Sequence, residues 1–393
     1  MDKSKTFRCY FLFFIGFFLT CPIFLSIGYE IGISSLSRVA SIQEKMFFIS
    51  IPLGYFFLLF IFNFRLIKPV LNTFFSLLSL LLLMLILFDY IIDNTLDNFL
   101  IKNYVILLAF FIIQRLISDT FNESSFLKSL AKIEIEKYFF LNPLLIHLII
   151  IISSNFLISK KIDKVNFGVY LFDEIIIYNY EQYVSLMFIP FVFHFKNFIL
   201  KIIYMSLLIY LLIQTNNITA GFVLLSFCLL LSFFFFLKKY KINQNFFLFL
   251  LMTFIIIFSV SYWLIDHQFF NDSFLGQRGL IHRKIIVENF FQNLNDFKIL
   301  FPSLMQNQSW ESDFHNQNLN FYYMFGIFVL IFFYSLCFKL YKIYILDWKL
   351  GLSLIAIILL GGTTTNNILH LNLAIYFGMI FGYMSYREKN KYL

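Results

Sequence analysis

The sequence predicts an all-α, polytopic membrane protein of about twelve transmembrane helices, with one large polar loop between the ninth and tenth spans. Three observations predict it. Of 393 residues, 60% are hydrophobic and 13% are charged, whereas soluble chains carry roughly half apolar and a quarter charged residues. Apolar runs recur along the whole chain at the length of roughly 20 residues that a bilayer core of about 30 Å demands. Both ends of the chain are charged, and an even number of spans places them on one side.

Residues 1 to 20 join a basic start to an apolar run, as a secretory leader would. The run continues past Cys21 to about Ile31 without a small-residue cleavage site, so it reads as an uncleaved first span. Leu19 and Thr20 precede Cys21 where a lipid-anchor cysteine needs a small pair. Including this first run, spans are predicted near residues 18, 54, 81, 108, 148, 188, 206, 226, 255, 332, 355 and 375, with the runs 183–195 and 350–361 short. Residues 118–138 read as a short amphipathic interfacial helix.

Orientation follows from the excess of Lys and Arg in cytoplasmic loops. With the N-terminus inside, 20 of the 30 basic residues fall in inside segments, among them Lys238, Lys239, Lys241, Lys339, Lys342 and Lys349. The ten outside include Arg38, Lys160, Lys161, Lys164, Arg278, Arg283 and Lys284. Both termini are therefore predicted inside and the long loop outside. The net charge of +8 is thereby mostly topological, and no nucleic-acid partner is implied. Residues 1–393 form one integral membrane domain on this reading. Gly361 and Gly362 stand without a phosphate-loop pattern, and Cys9, Cys21, Cys228 and Cys337 lack metal-ligand spacing, so neither nucleotide nor metal cofactor is expected.

Lipid explains most of the chain but not residues 266–320, and function is sought there. The stretch LGQRGLIHRK at 275–284 precedes IIVENFFQNL, whose apolar spacing is helical. Arg278 is thus expected at a helix start, with His282 one turn along the same face and Arg283 and Lys284 beside it. Guanidinium groups and helix N-termini both favour phosphate oxygens. Two readings stay open for this corner: a diphosphate site, or a solvated basic surface touching lipid headgroups. His315 lies just before an apolar span, where a rigid element would hold it at the membrane surface. It suits a general base, or is an interfacial histidine held by hydrogen bonds. Asn316 is expected to cap the following helix, and Gly326 to permit close helix packing. Glu311 and Asp313 would orient His315, bind sugar hydroxyls, or remain solvated.

His315, Asn316, nine further residues and Gly326 resemble the signature of the O-antigen ligase and O-antigen polymerase superfamily, in which His-Asn precedes a helix with Gly at this separation. Arg278 within LGQR resembles the family's outer-loop arginine, and FKILFPS at 297–303 its short apolar loop piece. Val329 departs from the small residue or Tyr usual three places beyond the Gly. Gln214, Thr215, Asn216 and Asn217 stand where the family commonly has an arginine at the outer start of the eighth span. Arg283, Lys284 or the group Lys160, Lys161 and Lys164 would then supply the missing charge.

The resemblance implies glycosyl transfer at the periplasmic face of the bacterial inner membrane, from a glycan on undecaprenyl diphosphate. Arg278 would stabilise the leaving diphosphate and His315 would deprotonate the acceptor hydroxyl; Arg283, Lys284, His282 and Asn316 would bind substrate. The acceptor would be the lipid A core for a ligase, or another lipid-linked repeat unit for a polymerase. The single large His-bearing loop favours a ligase, although residues 159–182 offer a second outer loop. A reading of another class is a lipid-linked oligosaccharide flippase, supported by Glu30, Gln114 and His147 within or beside spans.

Overall fold

A computed structural model describes residues 31–33, 38–39, 80, 83–84, 87, 98–123, 168–171, 175–178, 189, 197–215, 218–261, 280–292, 299–303, 314, 316–363, 368–369 and 371–391. The predicted spans near residues 18, 54 and 148 lie outside the described residues, as do most of those near 81 and 188.

Helices dominate the described residues: α1 (Asn98–Glu123), α2 (Phe198–Thr215), α3 (Ile218–Lys239), α4 (Gln244–Ser261), α5 (Leu280–Gln292), α6 (Gln317–Phe325), α7 (Val329–Leu346), α8 (Trp348–Ile355) and α9 (Leu371–Lys391). Each of the predicted spans near 108, 206, 226, 255, 332, 355 and 375 coincides with helix. Among the described residues, two stretches, Gly221–Lys239 and Gln317–Leu346, are long and apolar enough to cross a membrane. Leu225, Leu229, Phe235, Leu330 and Tyr334 on them are exposed, an apolar surface compatible with a membrane protein. The first residues of the expected interfacial helix, 118–123, instead continue α1.

Beside the helices, strands β1 (Ile31–Ile33), β2 (Arg38–Val39), β3 (Gly168–Leu171) and β4 (Ile175–Tyr178) form a small antiparallel sheet in the order β2-β1-β4-β3. Ile31 pairs with Ile177 and Ile33 with Ile175, while Gly168 pairs with Tyr178 across β3 and β4. Ile175, Ile176, Ile177 and Tyr178 have the β-branched and aromatic side chains that suit a pleated surface. In sequence this run is too short to stand out from the apolar spans around it.

The chain divides into two compact units: residues 1–70, 109–227 and 370–393 in the first, and 71–108 and 228–369 in the second. In the first, α1 from Ala109 onward packs on α9 through Gly378 and Gly382, spaced four apart on one face. A Cβ at Gly378 would stand 2.8 Å from the Phe110 carbonyl oxygen, and one at Gly382 would press on the Gln114 carbonyl. This is the small-residue spacing that lets membrane helices approach closely. Phe110 and Phe381 then meet edge to face with centroids 5.4 Å apart.

In the second unit, α3 turns into α4 through Lys241, a non-glycine residue at φ 54°. Ile242 N–H donates to Leu237 O and Lys241 N–H to Lys238 O, the paired bonds of a Schellman ending. Asp347 alone joins α7 to α8. Its carboxylate accepts from Lys349 and Leu350 N–H, each at 3.1 Å, and Gly351 leaves room for the Tyr344 backbone. Tyr344 O–H donates to Gln244 Oε1 at 2.6 Å, tying α7 to the start of α4. Beyond α8 the helix changes winding, through a π turn at Ala356–Leu360 and a 3-10 turn at Gly361–Thr363.

Candidate functional site at the start of α6

The site is built where α6 begins. Asn316 sits in extended backbone, φ −137° and ψ 107°, and its side-chain oxygen accepts from the N–H groups of Asn318 and Leu319 at 3.0 and 3.2 Å. The expected cap is therefore formed, and it satisfies two donors that a helix N-terminus leaves open. Asn316, Gln317, Asn318 and Asn320 are all buried. Buried carboxamides are costly unless hydrogen-bonded, and those of Asn316 and Gln317 are, so this end of the helix is held by polar contacts as well as by packing.

Gln317 makes the longest-range of these contacts. Its Nε2 donates to Ile358 O at 3.1 Å and its Oε1 accepts from Ile368 N–H at 2.6 Å. The π turn and the residues just past the 3-10 turn thus find partners on α6, where regular helix would have supplied them. Gly362 lies against the same carboxamide, 3.0 Å from Nε2 to an added Cβ. Gln317 carries no motif that marks it in the sequence, and Gly361 and Gly362 are noticed there only as glycines without a phosphate-loop pattern. The polar runs HNQNLN and GGTTTNN were the available signal, each interrupting apolar sequence at a span end.

Aromatic packing seats α5 against the same place. Phe290 meets Phe314 at 4.8 Å between centroids, Tyr323 at 6.2 Å and Tyr322 at 6.3 Å, while Phe314 and Tyr323 stand 6.0 Å apart. Phe290, Phe314 and Tyr323 are almost fully buried. Phe314, beside position 315, and Tyr322 and Tyr323 of α6 are thereby packed on the helix whose opening turns are basic. His282, Arg283 and Lys284 occupy the opening turns of α5. Eight residues, about 12 Å of helix, separate His282 from Phe290.

The described part of the helix is Leu280–Gln292, and its expected start at Arg278 lies outside the described residues. Arg278 and His315 lie outside the described residues, as do Glu311, Asp313, Asn216 and Asn217.

Gly326 ends α6 at φ 54° and ψ −134°, and the close neighbour of an added Cβ is the Leu300 carbonyl oxygen, at the end of the helical turn that includes Ile299 and Leu300. Residues 299–303 lie across it, with Tyr322 O–H donating to Ile299 O at 2.5 Å and Phe301 6.0 Å from Phe328. The described residues of the short apolar piece, 299–303, therefore form a strap over the end of α6.

Among the described residues, no three of His, Cys, Asp and Glu are grouped to hold a metal ion. Comparison of the chain with known protein families, curated proteins and solved structures gave no match.

Proposed function

We propose that this chain is a glycosyltransferase of the O-antigen ligase type, moving a glycan from undecaprenyl diphosphate to the lipid A core at the periplasmic face of the bacterial inner membrane. The observation that carries the reading is the seating of α5 on the residues flanking position 315 through Phe290, Phe314 and Tyr323. It joins, through one buried cluster, the two stretches that chemistry alone selected: a basic helix start and a histidine at a span entrance.

In this mechanism His315 takes the proton of the acceptor hydroxyl as its oxygen attacks the anomeric carbon. The bond from that carbon to the diphosphate oxygen breaks and its electrons leave with the diphosphate. Arg278 neutralises the growing charge, assisted by His282, Arg283 and Lys284. One displacement inverts the anomeric centre. Asn316, with its oxygen engaged in the cap, orients the peptide that carries His315, and no cofactor takes part.

Topology supports the reading. The β1–β4 pairing needs residues 31–33 and 175–178 on one side of the membrane, and the charge tally puts both outside. Gln317 and Ile368 bond to one another at the ends predicted outside, whereas Lys238 and Trp348 meet at ends predicted inside. Twelve spans with both termini cytoplasmic accommodate all three pairings. One observation favours a polymerase instead: the second-largest predicted outer loop, 159–182, carries the β3–β4 pair.

The test is lipopolysaccharide gel analysis of a strain deleted for the gene and complemented with variants. His315→Ala and Arg278→Ala should each abolish surface glycan while the protein stays in the membrane, and normal display from both refutes the proposal. Core alone with lipid-linked polymer accumulating identifies a ligase, and core plus one repeat a polymerase. Repeat units trapped inside identify a flippase and overturn the transferase reading.

A further inference from the structure

The α3–α4 turn and the α7–α8 junction converge at one end of the second unit, and we propose that they form a binding site for the phosphodiester headgroup of an anionic phospholipid. The inference is independent of the glycosyltransferase reading. Lys238 Nζ lies 5.4 Å and Lys349 Nζ 5.9 Å from the centroid of the same Trp348 ring. Each ammonium is attracted by the ring, yet the two cations repel one another. Their distances to the shared ring keep the two ammonium groups within about 11 Å of one another, and the flexible lysine stems can close that separation onto one phosphate, which accepts charge-assisted hydrogen bonds of about 2.7–2.9 Å from each.

Along the described residues of the four helices that meet here, little negative charge competes. Lys239 stands 5.8 Å from the Tyr240 ring and Lys342 4.8 Å from that of Phe338, and Lys241 extends the exposed turn. Between 228 and 261 and between 329 and 363 the acidic residue is Asp347, and its carboxylate is engaged in capping α8.

The flanks decide which phosphate is bound. Phe235 and Phe236 on α3 and Phe338 on α7 are exposed at 62%, 51% and 48%, on helix surface leading away from the lysines. A ligand that covers both surfaces has a phosphate head and apolar chains. A free phosphate would leave the rings uncovered.

Trp348 reports on the site directly. With Trp263→Phe and Trp310→Phe it becomes the sole tryptophan, and the full chain is reconstituted into phosphatidylcholine vesicles holding a minor fraction of bromine-labelled phosphatidylglycerol, or the same fraction of labelled phosphatidylcholine. Quenching should show phosphatidylglycerol enriched at Trp348, about fivefold for each lysine engaged at the surface. Lys238→Gln with Lys349→Gln should remove the enrichment, whereas Lys238→Arg with Lys349→Arg should retain it, separating loss of charge from loss of fold. Equal quenching by both lipids overturns the proposal, as does a preference that survives the double Gln change. Loss of the preference to inorganic phosphate, at ionic strength matched with chloride, assigns the site to free phosphate and also overturns it.

Discussion

Replacing Gly326 by alanine adds one methyl group where two independent costs coincide. The backbone at φ 54° and ψ −134° is a sparsely populated conformation for an L-residue, a cost of about 1–3 kcal/mol. The new Cβ would also overlap the Leu300 carbonyl oxygen and lie 3.2 Å from Phe301 Cα, so 299–303 must shift or α6 must end differently. Overpacking of this kind costs about 1–3 kcal/mol. Together the substitution should destabilise by about 2–6 kcal/mol, a large part of a typical stability of about 5–15 kcal/mol.

Gly221→Ala is the control. No atom lies within 4 Å of its added Cβ, and alanine in a helix interior is favoured over glycine by about 1 kcal/mol, so it should be neutral or stabilising. Unfolding of both purified variants in the same detergent measures the difference. Adding Tyr322→Phe removes the bond to Ile299 O, loosens the strap, and should reduce the penalty of Gly326→Ala below the sum of the single changes. Equal stability of Gly326→Ala and Gly221→Ala would refute the assignment of Gly326 to backbone geometry and the strap.

Further changes test the other contacts. Asn316→Ala should cost about 1 kcal/mol through the lost cap and Asn316→Ser should recover most of it, read by the same unfolding measurement. Gln317→Leu leaves the buried Ile358 O and Ile368 N–H without their partner, so a loss of about 2–6 kcal/mol is expected at about 1–3 kcal/mol per group; unfolding unchanged from the parent protein counts against the bridge. Gly382→Leu should force α9 from α1 and lower the unfolding temperature far more than Ser385→Ala, which removes a helix-internal bond to Phe381 O.

Apolar run length was sufficient to locate the helices, because spanning a bilayer fixes their length and composition. The Asn316 cap was legible for a similarly local reason: a carboxamide directly before an apolar run has few other uses. The partners of Gln317 lie 41 and 51 residues away, and no local pattern contains them. Gly326 was recognisable by its spacing from His315, but spacing does not reveal φ, so its strap was missed. Gly378 and Gly382 carry a legible GxxxG spacing, while their partner helix is defined only by the fold. Hydropathy treats 348–363 as one short apolar run, whereas the change of winding at Ala356 depends on what α6 offers its carbonyls.

The sheet sets a timetable for synthesis. Ile31 must await Ile177, 146 residues later in the chain, and at about 5–20 residues per second that interval is roughly 7–30 s. During it β1 has β2 as a neighbour on one edge while its other edge exposes unpaired backbone groups to any extended strand nearby. β2 is two residues long and ends the sheet on that side, so little backbone is presented there. Arrival of β4 closes the open edge of β1, and assembly of this region is therefore completed from the middle of the chain backward.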